Sequence, residues 1–262
     1  MKVVILTSSM NGTLAHHLPF LLKSKSIEIK MVVVSEGLVA NKNKLYKKKL
    51  KKILSIGVLG AINGIRMRKW FDEDIKQHTT FIDLKAVCVA NGISLKSTPS
   101  INCKETENCF REANADIGLS LGNGYIAKRI FSIPSFGMLN IHHEVLPDYQ
   151  NAQSVIWQLY NGSTTTGFTI HKIDEHIDTG AILYQEKINI EIKNTLGETV
   201  SATIAKLYDA SAKALVNVLE NFAQYNSVAK LQGNGVSYTT PSIWKFIKMN
   251  NQFKKIKRNN SK

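Results

Sequence analysis

An apolar run, KVVILT at 2–7, opens the chain and breaks into the polar turn Ser8 to Gly12. An unbroken apolar run of this kind marks a strand covered on both faces, as in a parallel sheet. Leu14 to Lys23 reads as a helix and IEIKMVVVS (27–35) as a second strand. From 45 to 78 the pattern is helical, with Gly57, Gly60 and Gly64 permitting close packing. LKAVCVANGI (84–93) predicts a helix closing on Gly92, and ISLKS a short strand. A helix over 103–115, the strand DIGLSLG, a short helix near 127–131 and the strand GMLNIHH (137–143) follow. Strands alternating with helices predict an α/β fold with a doubly wound, mostly parallel sheet.

Gln153 to Tyr160 is expected to be helical, and TTTGFTIHKI (164–173) and AILYQEKINI (181–190) to be strands around a loop. Thr195-Leu196-Gly197-Glu198 fits a capping box that opens a long helix to about Phe222. The Asn234-Gly235 pair signals a hairpin turn. The expected organisation is one domain over 1–190, then a C-terminal helix, a small β-hairpin appendage and a basic tail over 191–262. No internal repeat is visible.

Charge changes the picture locally. The net charge is +14, but residues 42–52 carry seven lysines without an acid, and 254–262 five further positive residues without an acid. The remainder is close to neutral, so the basicity belongs to two segments. The cysteines, Cys88, Cys103 and Cys109, form no CxxC and have no histidines at metal spacing, which predicts reduced thiols and no metal site. The amino terminus is too short in apolar residues for a signal peptide, and no run approaches a membrane span. A cytoplasmic protein is expected.

The candidate chemistry sits where a core strand ends. In LNIHHEVLPDYQ (139–150), Asn140 and His142 are two apart and share a strand face. Both lie at the carboxyl end of the strand, where open α/β sheets bind ligands. Alone, such a pair reads more readily as a polar strand end capped by its turn. A second motif, HKIDEHIDTGAIL (171–183), brings an acid-rich loop ending in Asp178 to the start of another strand. A carboxylate there can orient and tune an imidazole.

Together, LNIHHEVLP and YNGSTTTGFTIHKIDEHIDTGAIL resemble the signature of folate-dependent formyltransferases, in order and spacing, across roughly residues 115 to 190. That superfamily includes glycinamide ribonucleotide transformylase, methionyl-tRNA formyltransferase and nucleotide-sugar N-formyltransferases. The resemblance implies catalytic roles for Asn140, His142 and Asp178, and 10-formyl-tetrahydrofolate as co-substrate, with no metal. Asn140 and His142 would donate hydrogen bonds to the formyl oxygen as it becomes an oxyanion. Asp178 would hold His142 and help remove the amine's proton. The folate would lie between the Gly124, Tyr125, Ile126 loop and the Ile173, Asp174, Glu175, Ile177 stretch.

For the acceptor, Asn11, Gly12 and Thr13 at the first helix start offer backbone N–H groups to a phosphate. His143 points to the opposite strand face and is assigned to structural or substrate contact. Where many relatives show Arg-Gly after the Leu-Pro turn, this chain has Gln150-Asn151. Too few residues follow the Phe222 helix for the barrel of a methionyl-tRNA enzyme. The best match is with sugar N-formyltransferases acting on acceptors such as dTDP-4-amino-4,6-dideoxyglucose, for surface polysaccharide (O-antigen). Alternatives are transfer to methionyl-tRNA or glycinamide ribonucleotide. The non-enzyme alternative is a basic lipid- or nucleic-acid-binding protein on an inactive scaffold. No nucleic-acid partner is expected, relatives suggest a homodimer, and residues 42–71 offer a weak membrane-surface contact.

Overall fold

The computed structural model describes residues 1–38, 42–151 and 153–260. Five parallel strands are laid down first: β1 (Lys2–Thr7), β2 (Glu28–Ser35), β3 (Ser94–Thr98), β4 (Ile117–Ser120) and β5 (Met138–His142). An antiparallel pair, β6 (Thr165–Lys172) and β7 (Ile182–Asn189), extends the sheet. The spatial order is β3-β2-β1-β4-β5-β6-β7. The order in which strands are added therefore reverses between β1 and β4, which leaves a crevice beside their carboxyl ends.

Alternation along the strands sorts their side chains into two cores. Val3 and Ile5 join one apolar cluster with Leu139, Ile141 and Phe168; Val4 and Leu6 join the other with Phe110 and Ile130. The larger face is covered by α1 (Thr13–Leu21), α4 (Leu84–Ala90) and α8 (Leu196–Glu220). The smaller face is covered by α5 (Lys104–Ala113) and α6 (Lys128–Phe131). Thr195 accepts a hydrogen bond from the Glu198 amide at 3.1 Å, as the capping box requires. Leu207, Leu215 and Val218 on α8 are fully buried. Each such side chain contributes about 1.5–3 kcal/mol of transfer free energy.

Between β2 and β3 lie α2 (Lys42–Ile56), α3 (Val58–Asp72) and a 3-10 turn (Asp74–Gln77). Gly57, at φ 76°, separates α2 from α3. After β5, α7 (Ile156–Tyr160) precedes β6, and α9 (Phe222–Ser227) follows α8.

The C-terminal part corrects one expectation. No hairpin forms at Asn234-Gly235 among the described residues. Residues 229–238 instead run as a strap across the sheet's end: Lys230 bridges Ile182, and Ser237 bridges Gln150. A Cβ on Gly235 would fall 2.5 Å from the Pro147 carbonyl oxygen, so this glycine permits close approach and not a turn. The described part of the basic tail is not a loose end, residues 261 and 262 lying outside the described chain. It belongs to α10 (Ile243–Asn260), which buries Met249, Phe253 and Ile256.

A second glycine is fixed by contact. A Cβ on Gly180 would lie 1.9 Å from the Lys172 carbonyl oxygen, where β7 begins. Gly180→Ala is expected to cost about 1–3 kcal/mol through forced backbone displacement. A lowered urea midpoint would register it; an unchanged midpoint would show that the β6–β7 junction yields freely.

Candidate active site

Leu139 and Ile141 of β5 enter the larger core, so Asn140 and His142 emerge together on the opposite face. The antiparallel register sets His171 of β6 beside Asn140 and Thr169 beside His142. The loop joining β6 to β7 folds back over this pair and delivers Asp178. The three residues singled out in the sequence thus meet at one end of β5.

Hydrogen bonding assigns the protons. His142 Nε2–H donates to the Tyr149 carbonyl at 2.8 Å, because that oxygen can only accept. In the neutral ring Nδ1 then carries the lone pair, and it lies 3.7 Å from Asp178 Oδ2. His171 Nδ1–H donates to the Lys172 carbonyl at 2.7 Å. Its Nε2 accepts from the Asn140 amide at 3.2 Å and lies 3.7 Å from Asp178 Oδ1. One amide N–H of Asn140 is held by His171 and the other is left for a ligand. Burial lowers the His171 pKa, against the pull of Asp178, which keeps the ring a neutral acceptor.

Asp178 is held from the opposite side. The Asn151 amide donates to Oδ2 at 2.9 Å, and Gln150 Nε2 donates to the Asp178 carbonyl at 3.2 Å. Both Asp178 (φ 58°) and Asn151 (φ 50°) adopt the left-handed backbone, which Asn and Asp tolerate best after glycine. Asn151 thus accommodates the left-handed turn while Gln150 adds a tether. The strap holds this tether in place: Gln150 N–H donates to the Val236 carbonyl, and Gln232 to that of Gly180.

These groups open onto a cleft of about 370 Å³. Gly124, Tyr125, Ile126, Ile173, Asp174 and Ile177 line it together with Asn140, His142 and Asp178. Tyr125 and Ile177 are half exposed at its mouth. Asp174 spends one carboxylate oxygen within the loop, on the Thr179 hydroxyl and the His176 amide. Glu175 lies off the cleft, exposed and paired with Lys128 at 2.6 Å. Among the described residues no group of histidine, cysteine, aspartate or glutamate is arranged to hold a metal ion.

The residues expected at a substrate phosphate border the cleft without lining it: a Cβ on Gly122, in the lining, would fall 3.7 Å from the Thr13 hydroxyl oxygen. Asn11, Gly12 and Thr13 begin α1 outside the cleft lining, where Gly12 provides no side-chain cap and the Thr13 hydroxyl is 3.4 Å from that of Tyr208. His143 faces away from the cleft, as alternation demands. Its Nε2 meets the Ser211 hydroxyl at 3.1 Å, which His17 Nε2 also meets at 3.0 Å, and its ring packs on Tyr208. His16, beside them, pairs with Asp209 at 2.9 Å. Burial lowers the pKa of all three histidines, that of His143 to about 3. Glu144, fully buried, is pushed well above the usual carboxylate range while accepting from the Val155 amide and Gln158.

Sequence reasoning passed over His171, the Tyr149 carbonyl and the Asn151 amide. His171 did carry a signal, standing inside the second motif two residues from Thr169 on one strand face. The two backbone groups carried none.

The family model described as formyl transferase matches residues 1–219. A methionyl-tRNA formyltransferase of Ehrlichia ruminantium is 31% identical over 157 residues, 60% of this chain and 50% of that protein. The chain thus spans about half the length of this curated relative. A GDP-perosamine N-formyltransferase of Brucella melitensis is 37% identical over 97 residues, 36% of this chain and 38% of its own. An N-formyltransferase from Helicobacter canadensis, solved with folinic acid and dTDP-3-aminofucose, shares the fold. It superimposes with a TM-score of 0.56 at 16% identity, covering 96% of this chain and 80% of that one. With the family model spanning most of the chain, the two-motif site and the shared sheet have one reading: this chain belongs to the folate-dependent formyltransferase superfamily.

Proposed function

We propose that the protein transfers the formyl group of 10-formyl-tetrahydrofolate to the amino group of a nucleotide-linked amino sugar, of the dTDP-4-amino-4,6-dideoxyglucose type. The observation that carries the reading is the convergence of Asn140, His142 and Asp178 on one cleft. The folate fits the walls between 124–126 and 173–178. A Cβ on Gly124 would meet nothing within 4 Å, so the wall is open there, and Tyr125 and Ile177 offer apolar surface to a ring. The folate supplies an activated formyl carbon; the chain's residues do the rest.

The free amide N–H of Asn140 donates to the formyl oxygen as negative charge builds on it. His142 can donate only when Nδ1 is protonated, since Nε2–H is committed to Tyr149. Asp178, 3.7 Å from Nδ1, stabilises that imidazolium. The carbon–nitrogen bond to the sugar amine forms and the bond to the folate nitrogen breaks. The proton lost by the amine leaves through the carboxylate–imidazole pair, and the folate nitrogen regains one.

The sugar acceptor is supported by the perosamine relative and by the dTDP-sugar bound to the Helicobacter enzyme. The uncapped start of α1 suits a phosphate. The methionyl-tRNA relatives match a longer stretch, so charged initiator tRNA is the competing acceptor. Nucleotide-linked amino sugars, glycinamide ribonucleotide and charged initiator tRNA are each incubated with 10-formyl-tetrahydrofolate while released tetrahydrofolate is followed. Turnover is expected with a nucleotide-linked 4-amino sugar. Turnover with tRNA alone, or with none, would overturn the reading.

His171 acts through Asn140. His171→Phe preserves an aromatic ring but frees the amide, and kcat is expected to fall about 10- to 100-fold, within the cost of losing one oriented oxyanion donor. KM should change little, and Asn140→Ala should remove most of the difference. An additive loss in the double variant would dismiss the positioning role.

A further inference from the structure

Residues 42–71 hold ten lysine and arginine residues and no acid. Within them α2 and α3 leave large apolar side chains in water. On α2, Tyr46, Leu50, Ile53 and Leu54 follow the i, i+4, i+7, i+8 spacing of one helical stripe, and Leu54 is 76% exposed. On α3, Val58, Leu59, Ile62 and Ile65 form a second exposed arc. The opposite face of α3 is pinned to the protein through Gly60, Asn63, Gly64 and Met67, all buried. Cβ atoms on Gly60 and Gly64 would crowd Ser242 and Thr240, so the outward face of α3 is fixed in place. Eight large apolar side chains left in water on two consecutive helices mark a contact with something else.

The charge pattern selects the occupant. A second copy across a two-fold axis would bring lysine-rich stripes against each other, a repulsion between like charges. A nucleic acid would neutralise the lysines but leave the aliphatic side chains in water. We propose that α2 and α3 dock the protein on an anionic lipid bilayer. The apolar stripes enter the headgroup–acyl boundary, and Lys47, Lys49, Lys51 and Lys52, all exposed, lie at the phosphates. No described helix is long and apolar enough to cross a membrane, so the contact is lateral. This assignment is independent of which amine the protein formylates.

The test is flotation of the full chain with vesicles of phosphatidylcholine alone or mixed with phosphatidylglycerol. The protein is expected to float with the anionic vesicles only, and to be released by salt. Leu54→Glu/Ile62→Glu should abolish flotation, with circular dichroism and formyl transfer in solution unchanged. Replacing Lys47, Lys49, Lys51 and Lys52 by glutamine should weaken partitioning by about a hundredfold or more. Failure to float would overturn the proposal. So would flotation indifferent to Leu54→Glu/Ile62→Glu, a vesicle-free dimer that this variant dissociates, or tight tRNA binding without vesicle binding.

Discussion

The formyl-transfer rate of His142→Ala is expected to fall by about two to four decades, the range for losing an acid–base or oxyanion group. Alanine removes both the Nδ1 donor and the ring that bonds the Tyr149 carbonyl. Asp178→Asn is the sharper probe. Its side-chain oxygen can still accept from the Asn151 amide, so the loop retains its anchor. Its NH2 group, however, would donate to Nδ1 and favour the neutral ring, which has no proton to give the oxyanion. A loss of about two to three decades is expected, with KM for the folate changed far less. The double variant should be no slower than His142→Ala by more than a few-fold, since the two groups act as one unit. Single-turnover rates for the four proteins would decide it, and losses that add in free energy would break the pair apart.

The second large effect concerns stability. His17 and His143 are neutral in the fold because burial, reinforced by neighbouring imidazoles, holds their pKa values far below 6.5, His143 at about 3. The unfolded chain binds protons at these sites from pH 6.5 downward while the native chain does not. Their stability is therefore complete above pH 6.5 and is lost as pH falls toward the folded values, at about 1.4 kcal/mol per pH unit for each ring. Glu144 opposes them. Its raised folded pKa keeps it protonated in the fold, so the native state loses stability as pH rises above 4.5. His16 and His171, also lowered by burial, act in the same direction, so four rings against one carboxyl leave a net loss on acidification. Urea midpoints at pH 7 and pH 5 should differ clearly, and the difference should shrink in His143→Phe, which keeps a ring on Tyr208 but removes a titrating group. Equal differences in the two proteins would place the acid sensitivity elsewhere.

What could be read from the chain follows the range of the interactions involved. Buried parallel strands show as apolar runs, and Asn140 and His142 share a face by the two-residue period of any strand; both signals are local. The capping box at Thr195 is likewise complete within four residues. Neighbours across the sheet are not local. That β6 lies antiparallel to β5 with His171 opposite Asn140 depends on the register between strands. Asn234-Gly235 misled for a related reason. A glycine needed for close approach to Pro147 looks the same in sequence as one needed for a turn. His143 was assigned to substrate because it neighbours Asn140 and His142 in sequence; strand alternation turns it to the other face of the sheet.

The strap over 229–238 gives the site an order of assembly. A ribosome releases β5 and the Asp178 loop before the residues that brace Gln150 and Gly180. The sheet can close early, with the carboxylate facing the imidazole already held by the Asn151 amide, but Gln150 and Gly180 gain their braces only once Gln232 and Val236 have followed. The outer bracing of the cleft is thus set after the strands that carry its side chains.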